Sequence, residues 1–201
     1  MKGPSQSIAS RIRIVAIFAV AFISGAAVIF GMASLVGAAF QAAGLSLAWR
    51  VGFAAAGLIA LAWVDLLALR KKGYCPLGMR RQTPKSLIYR YPAMMVVAVW
   101  GFDTGLAVTT FRVAAITWGA LVLAGLGLSA WWIGLGYGFG FVLPLLISIL
   151  TQPSDRSREQ SSVAPIAPRL GGLLRKRSIL QSGSAVILLL AGTVLLIRLF
   201  V

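Results

Sequence analysis

One long apolar stretch constrains this chain more than any other feature. Residues 93–128 are apolar almost throughout, and as a single helix at ~1.5 Å per residue they would measure about 54 Å, well beyond the ~30 Å hydrocarbon layer of a bilayer. The stretch must therefore break or fold back. The predicted break is Gly101–Gly105, because its two glycines weaken a helix while Asp103 and Thr104 can cap a new one. Main chain opened inside a membrane must be sheltered by protein or face water, so we expect the functional centre here.

The composition predicts an integral membrane protein. Hydrophobic residues make up 59% of the chain and charged residues only 11%, whereas charged residues approach a quarter of a soluble domain. We expect an all-α, polytopic membrane helical bundle of about five transmembrane helices in a single domain covering residues 1–201. The expected spans are 14–40, 51–69, 93–128 (broken or re-entrant), 133–150 and 179–201, with basic loops at 70–92 and 151–178.

The formal charge of +15 predicts a membrane orientation. If residues 93–128 cross once, the N-terminus and the two basic loops share one side and hold 16 of the 19 Lys and Arg residues. The positive-inside rule then favours a multi-pass protein of the cell membrane, with a cytoplasmic N-terminus and an extracytoplasmic C-terminus. Six crossings stay open, because Leu106–Leu128 alone can span. The expected partners of the bases are anionic lipid headgroups rather than nucleic acid.

Several kinds of chemistry are made improbable by residue counts. The chain has one cysteine, Cys75, no histidine and only four acids, which argues against an intrachain disulfide and a metal site. We expect no cofactor and no enzymatic activity, since a pair of catalytic carboxylates would require Asp65 and Asp103 to meet. The expected position of Asp65 is the membrane interface, paired with the neighbouring basic loop.

A polar centre is predicted within the interrupted stretch. An acid at bilayer depth must be neutralised, paired or hydrated, and Arg112 is the natural partner of Asp103. A structural ion pair and a station on a solute or proton path both account for this pattern. The residues of the predicted centre are Asp103, Thr104, Thr109, Thr110 and Arg112.

The fourth expected span carries a pattern of small residues. The pairs Gly134/Gly138 and Gly136/Gly140 repeat the small-xxx-small spacing that allows close helix contact. Pro144 predicts a kink or freed main chain in the same span.

Parts of the sequence resemble a known family. Residues Val99–Arg112, the run Tyr137–Pro144 and the arrangement of spans around two basic loops resemble the CcdA/DsbD transmembrane family over roughly residues 12–200. That family carries reducing equivalents across membranes for cytochrome c maturation and thiol-disulfide exchange. The resemblance implies the second to sixth helices of its two inverted three-helix repeats, in which the first helix of each is broken at a Pro-Cys pair.

The sequence also departs from that family. Gly105 stands where the family's second broken helix has its cysteine, and the first broken helix has no counterpart. A dithiol relay needs two thiols that can meet, and Cys75 is one thiol in a polar loop. No redox role therefore passes to any residue of this chain.

Three functions stay open from the sequence. The leading hypothesis is a small-solute carrier or permeation module, in which Asp103→Asn should abolish transport without preventing insertion. The second is an accessory subunit of an extracytoplasmic thiol-redox or cytochrome c maturation system, bound to a membrane or extracytoplasmic redox partner or to a second copy of itself. The third is a structural membrane subunit, in which apolar residues could replace Asp103 and Arg112 together at little cost.

Overall fold

The part of the chain described by the computed structural model is helical, and comprises residues 8–71, 76–77, 89–107, 114–151 and 166–200. Six helices can be traced from end to end within these residues, which contain no strand. They are α1 (Ile8–Ala42), α2 (Leu47–Arg70), α3 (Ala93–Gly105), α4 (Ile116–Gly125), α5 (Ile133–Thr151) and α6 (Ile166–Ile197).

Three of these helices are long and apolar enough to cross a membrane. The segments concerned are Ile12–Ala42, Leu47–Arg70 and Lys176–Ile197, which correspond to the first, second and last predicted spans. The helices α3, α4 and α5 are also apolar but contribute only Ala93–Gly105, Ile116–Gly125 and Ile133–Pro144 as shorter apolar segments. The helical fold class and the membrane-compatible character predicted from composition are confirmed.

The stretch 93–128 is divided between two helices, but the division is not where the glycines predicted it. Helix α3 continues through Gly101 and ends at Gly105, and Ala107 then takes a left-handed conformation with φ of 61°. The two glycines serve close packing instead of bending. A Cβ atom on Gly101 would lie 2.7 Å from the carbonyl oxygen of Phe18, and one on Gly105 would collide with the main chain of Phe22.

Helices α3, α4 and α5 all pack against α1. The contacts of α3 begin near Phe18 and continue to Phe22, and the end of α4 reaches Gly37, where Gly127 lies against it. The helices α3 and α4 therefore follow α1 one after the other in the same direction. Helix α5 runs the opposite way, with Gly134 near Phe30 and its later ring Phe141 stacked on Phe22 at 4.5 Å.

The small residues of α5 lie on two different faces. Gly134 and Gly138 contact α1, where Cβ atoms would lie 2.6 Å from Phe30 and 3.2 Å from Ile23. By contrast, Gly136 and Gly140 face open space, so the one face of α5 that presses on another helix is the face with Gly134 and Gly138. The helix continues through Pro144, which is exposed.

A second group of helices forms around α2. Helix α6 packs antiparallel to it, since Gly192 approaches Ala55 and Ile59 while Leu199 lies near Gly52. The core between them includes Leu58, Ala62 and Leu188, together with Ala115 from the turn before α4. Because α4 contacts α1, α2 and α6, it joins the two groups.

Candidate functional site

A buried acid lies where the interrupted stretch resumes its helix. Asp65 of α2 has no solvent-accessible surface, and its two carboxylate oxygens accept the main-chain N–H of Ala115 at 2.9 and 3.0 Å. Asp65 is bonded to the main chain of Ala115 and not to the basic loop with which it was predicted to pair. Its neighbours in the described chain are α4 and α6, because α2 turns this face toward the bundle.

The Asp65 carboxylate caps α4 from a different helix. Ala115 is the N-cap residue of α4 and has no side chain that can accept a hydrogen bond. The first N–H groups of any helix lack partners within it, and a negative charge there is stabilised by the helix dipole. Asp65 supplies both the acceptor and the charge, so it fixes the start of α4 on α2.

The other end of α4 is also held by α2. Arg50 donates through one guanidinium nitrogen to the carbonyl oxygens of Leu126 at 3.2 Å and Gly127 at 3.5 Å. Gln41 of α1 donates to the same Gly127 oxygen at 3.2 Å. Positive charge is favourable at a helix C-terminus. Arg50 and Asp65 are 15 positions apart on α2, about 22 Å at 1.5 Å per residue, and they match the two poles of the antiparallel α4.

Two polar side chains of α6 accompany Asp65. The Ser184 hydroxyl faces the carboxylate, although it falls short of hydrogen-bond geometry. Ser184 is 4% exposed, and Gln181, one turn earlier on the same face of α6, is fully buried. We refer to Asp65, Gln181 and Ser184 as the polar centre. All three side chains lie within segments that are long and apolar enough to span a membrane.

The residues of the predicted centre lie elsewhere or outside the described chain. Asp103 and Thr104 are partly exposed in the last turns of α3, and the Thr104 hydroxyl donates to the carbonyl oxygen of Trp100 at 2.7 Å. Thr109, Thr110 and Arg112, like Cys75, fall outside the described residues. The structure packs α3 against α1, so Asp103 does not join Asp65 on the face of α2.

The sequence contains a signal for the polar centre, namely polar residues in two predicted spans. Asp65 is the only charged residue between Arg50 and Arg70, and the last predicted span contains the polar residues Gln181, Ser182 and Ser184 close together in a largely apolar run. Polar residues in two spans are expected to face each other rather than lipid. What the sequence did not supply was the pairing of α2 with α6.

The donor set does not resemble a metal site. Over the described residues there is no group of three or more His, Cys, Asp or Glu side chains that could hold an ion. What the arrangement offers is a single carboxyl group, a hydroxyl and an amide, which can bind and pass protons or bind one small polar group.

Comparison with protein-family models, with curated proteins and with solved structures finds no match.

Proposed function

We propose that the protein is a membrane-embedded carrier or permeation module for a small polar solute, with Asp65, Gln181 and Ser184 as its polar centre. The observation that carries the proposal is the complete burial of Asp65 in an apolar helix, at the start of a short helix that its carboxylate holds. An ionisable group at membrane depth costs several kcal/mol or more. Such groups mark solute, ion or proton pathways, and interrupted helices commonly line them.

The directions of the helices support five crossings with one interrupted span. Helices α3 and α4 follow α1 in succession, α2 and α5 run against it, and α6 runs against α2. Taking α3 and α4 as one crossing gives strict alternation. Most described bases near the ends of the spans then gather on one side, which we assign to the cytoplasm, while Arg50 and Arg198 lie on the other. Those on the cytoplasmic side include Arg13, Arg70, Lys71, Arg90, Lys176 and Arg177.

The test compares the two acids of the described chain. The solute content of cells is measured by mass spectrometry with the wild-type protein, with Asp65→Asn, with Asp103→Asn and without the protein. We expect Asp65→Asn to match cells without the protein and Asp103→Asn to match the wild type, at equal membrane abundance. If only Asp103→Asn matched cells without the protein, the transport site would lie at Asp103, as predicted from the sequence. No difference between any of the cells would contradict the carrier proposal.

A second candidate function follows from the outer face of α3. This helix is 13 residues long and carries an apolar groove of about 140 Å³ lined by Tyr91, Met95, Val96 and Val99. The groove is large enough for one or two apolar side chains of another subunit. It thereby favours an accessory role in a CcdA/DsbD-like thiol-redox or cytochrome c maturation system, in which the missing broken helix comes from the partner.

Crosslinking distinguishes this second function from the first. A photoreactive amino acid at Val99 should capture a membrane subunit whose loss alters periplasmic thiol state, whereas the same probe at Phe139 on α5, also exposed, should not. Capture of lipid alone, with unchanged thiol state in cells lacking the protein, would contradict the accessory role. Cys75→Ser in the same cells tests for any residual thiol chemistry.

A further inference from the structure

A stripe of polar side chains runs along α6 from its first described side chains to Asp65. Arg177, Gln181 and Ser184 are spaced i, i+4 and i+7, which places them on one face of the helix. Gln181 and Ser184 are buried, and the Nε atom of Arg177 is also buried although the residue as a whole is partly exposed. We call these three residues the α6 polar stripe. Its first and last residues are seven positions apart, about 10 Å along the axis.

The α6 polar stripe reaches the basic end of the bundle in one direction and ends at Ser184 in the other. Its first residue belongs to the basic end of the bundle, next to Lys176. Beyond Ser184 the same face continues with Ala185, Leu188 and Gly192, of which the first two are buried apolar residues and the third packs on α2. On α2, the buried positions on the far side of Asp65 are likewise apolar, with Leu58 and Ala62. The buried polar side chains of α2 and α6 therefore lie between Asp65 and the basic end.

We propose that the Asp65 carboxyl group is a proton-binding site that is loaded from the basic end along the α6 polar stripe, and that the proton is the coupling ion of the carrier proposed above. In the loading step one O–H bond of a hydronium ion at the basic end breaks and leaves water. One O–H bond forms on Asp65, and the carboxylate becomes neutral. The reverse step returns the proton to water.

A proton fits this path better than a metal cation. The charged residue of the stripe is basic, namely Arg177 on α6. Arg70, five positions beyond Asp65 on α2, is exposed, and α4 carries no charged residue. A metal ion would have to carry its full charge past Arg177 and find several ligands, whereas a proton needs only one carboxylate oxygen to bind. Carboxyl groups within membrane spans take part in the proton relays of pumps and transporters.

Protonation at this position also acts on α4. The charged carboxylate is attracted by the N-terminal pole of α4, and the neutral acid is attracted far less. Loading the proton therefore loosens the contact that joins α4 to α2, at the point where the interrupted stretch begins its second helix. The proposed coupling between proton and solute is this change in how α4 is held.

The experiment reads protonation directly and needs no solute. Membrane vesicles of both orientations, containing the full-length protein, are treated with dicyclohexylcarbodiimide, which forms an adduct with protonated carboxyl groups, and the Asp65 adduct is followed by peptide mass spectrometry. The side carrying the basic end is identified with a membrane-impermeant maleimide on Lys71→Cys in a Cys75→Ser background. The pH is then changed on one side at a time, and a protonophore that collapses the gradient is the control.

The proposal predicts that acidification on the Lys71 side raises the rate of Asp65 labelling several-fold, and that the same change on the opposite side has no effect. Ser184→Ala should slow this response several-fold. Ser182→Ala is the matched control, because it removes the same hydroxyl two positions away from the stripe, and it should respond like the wild type.

Labelling that follows the opposite side, or that responds equally in Ser184→Ala and Ser182→Ala, would overturn the proposal. Its failure is distinguishable from failure of the carrier function. One-sided labelling together with unchanged solute content in Asp65→Asn cells would leave the proton site standing and remove the carrier. Normal transport, together with Asp65 labelling that is independent of pH on both sides, would leave the carrier function standing and remove the proton site.

Discussion

The group of helices around α1 and the group around α2 each contain one acid, and the two acids differ in burial. Around α2, Asp65 is fully buried and its carboxylate is bonded to the start of α4. Around α1, Asp103 is partly exposed in the last turns of α3. The α1 group is held by glycine and aromatic contacts, such as Gly105 on Phe22, whereas the α2 group adds charged anchors at both ends of α4. The depth of an acid in this bundle therefore depends on which helices surround it rather than on the apolar run that contains it.

The largest expected effect is that of removing the buried acid. Asp65→Ala leaves the Ala115 N–H without an acceptor and opens a cavity, and an unsatisfied buried donor with lost charge interactions costs about 3 kcal/mol. Equilibrium unfolding in mixed detergent and dodecyl sulfate micelles measures the change. If the free energy of unfolding fell by the same amount in Asp103→Ala, the contrast between the two groups would not hold.

The glycine contacts of the α1 group should be next in size. Gly105→Ala forces a methyl group against the main chain of Phe22, and overpacking of this kind costs about 2 kcal/mol. Gly140→Ala is the matched change on α5, where open space surrounds the glycine, and it should leave stability unchanged or raise it by up to about 1 kcal/mol. Equal destabilisation by both substitutions in the same unfolding assay would contradict the packing described for α3.

The cationic anchor of α4 should contribute less than the acidic one. Arg50→Ala removes the hydrogen bonds to the carbonyl oxygens of Leu126 and Gly127, but Arg50 is only half-buried and Gln41 still reaches Gly127. We expect a loss of about 1.5 kcal/mol. Arg198→Ala at the exposed end of α6 is the control, and a loss as large there would show that the effect does not come from α4.

The smallest expected effect is that of Asp103→Ala. The interactions of a partly exposed carboxylate are weak, so the substitution should change the free energy of unfolding by no more than about 1 kcal/mol. Measured beside Asp65→Ala, it sharpens the comparison, because the two substitutions remove the same chemical group from the two groups of helices. A loss of several kcal/mol would place Asp103 among the residues that hold the bundle together.

The amino-acid sequence by itself determined the helical class, the long apolar segments and the interruption of residues 93–128, because hydrophobicity and length act locally along the chain. It also marked the small residues at 101, 105, 134 and 138, but not what they would touch. Only the tertiary structure decided that Gly101 and Gly105 serve close packing on α1 and that the helix ends after them. The same is true of Asp65, whose burial depends on α4, about fifty residues away in the sequence, and on α6, more than a hundred residues away. Contacts between helices are set by which apolar faces meet, and in a chain that is apolar on nearly every face the sequence pattern does not single out one pairing.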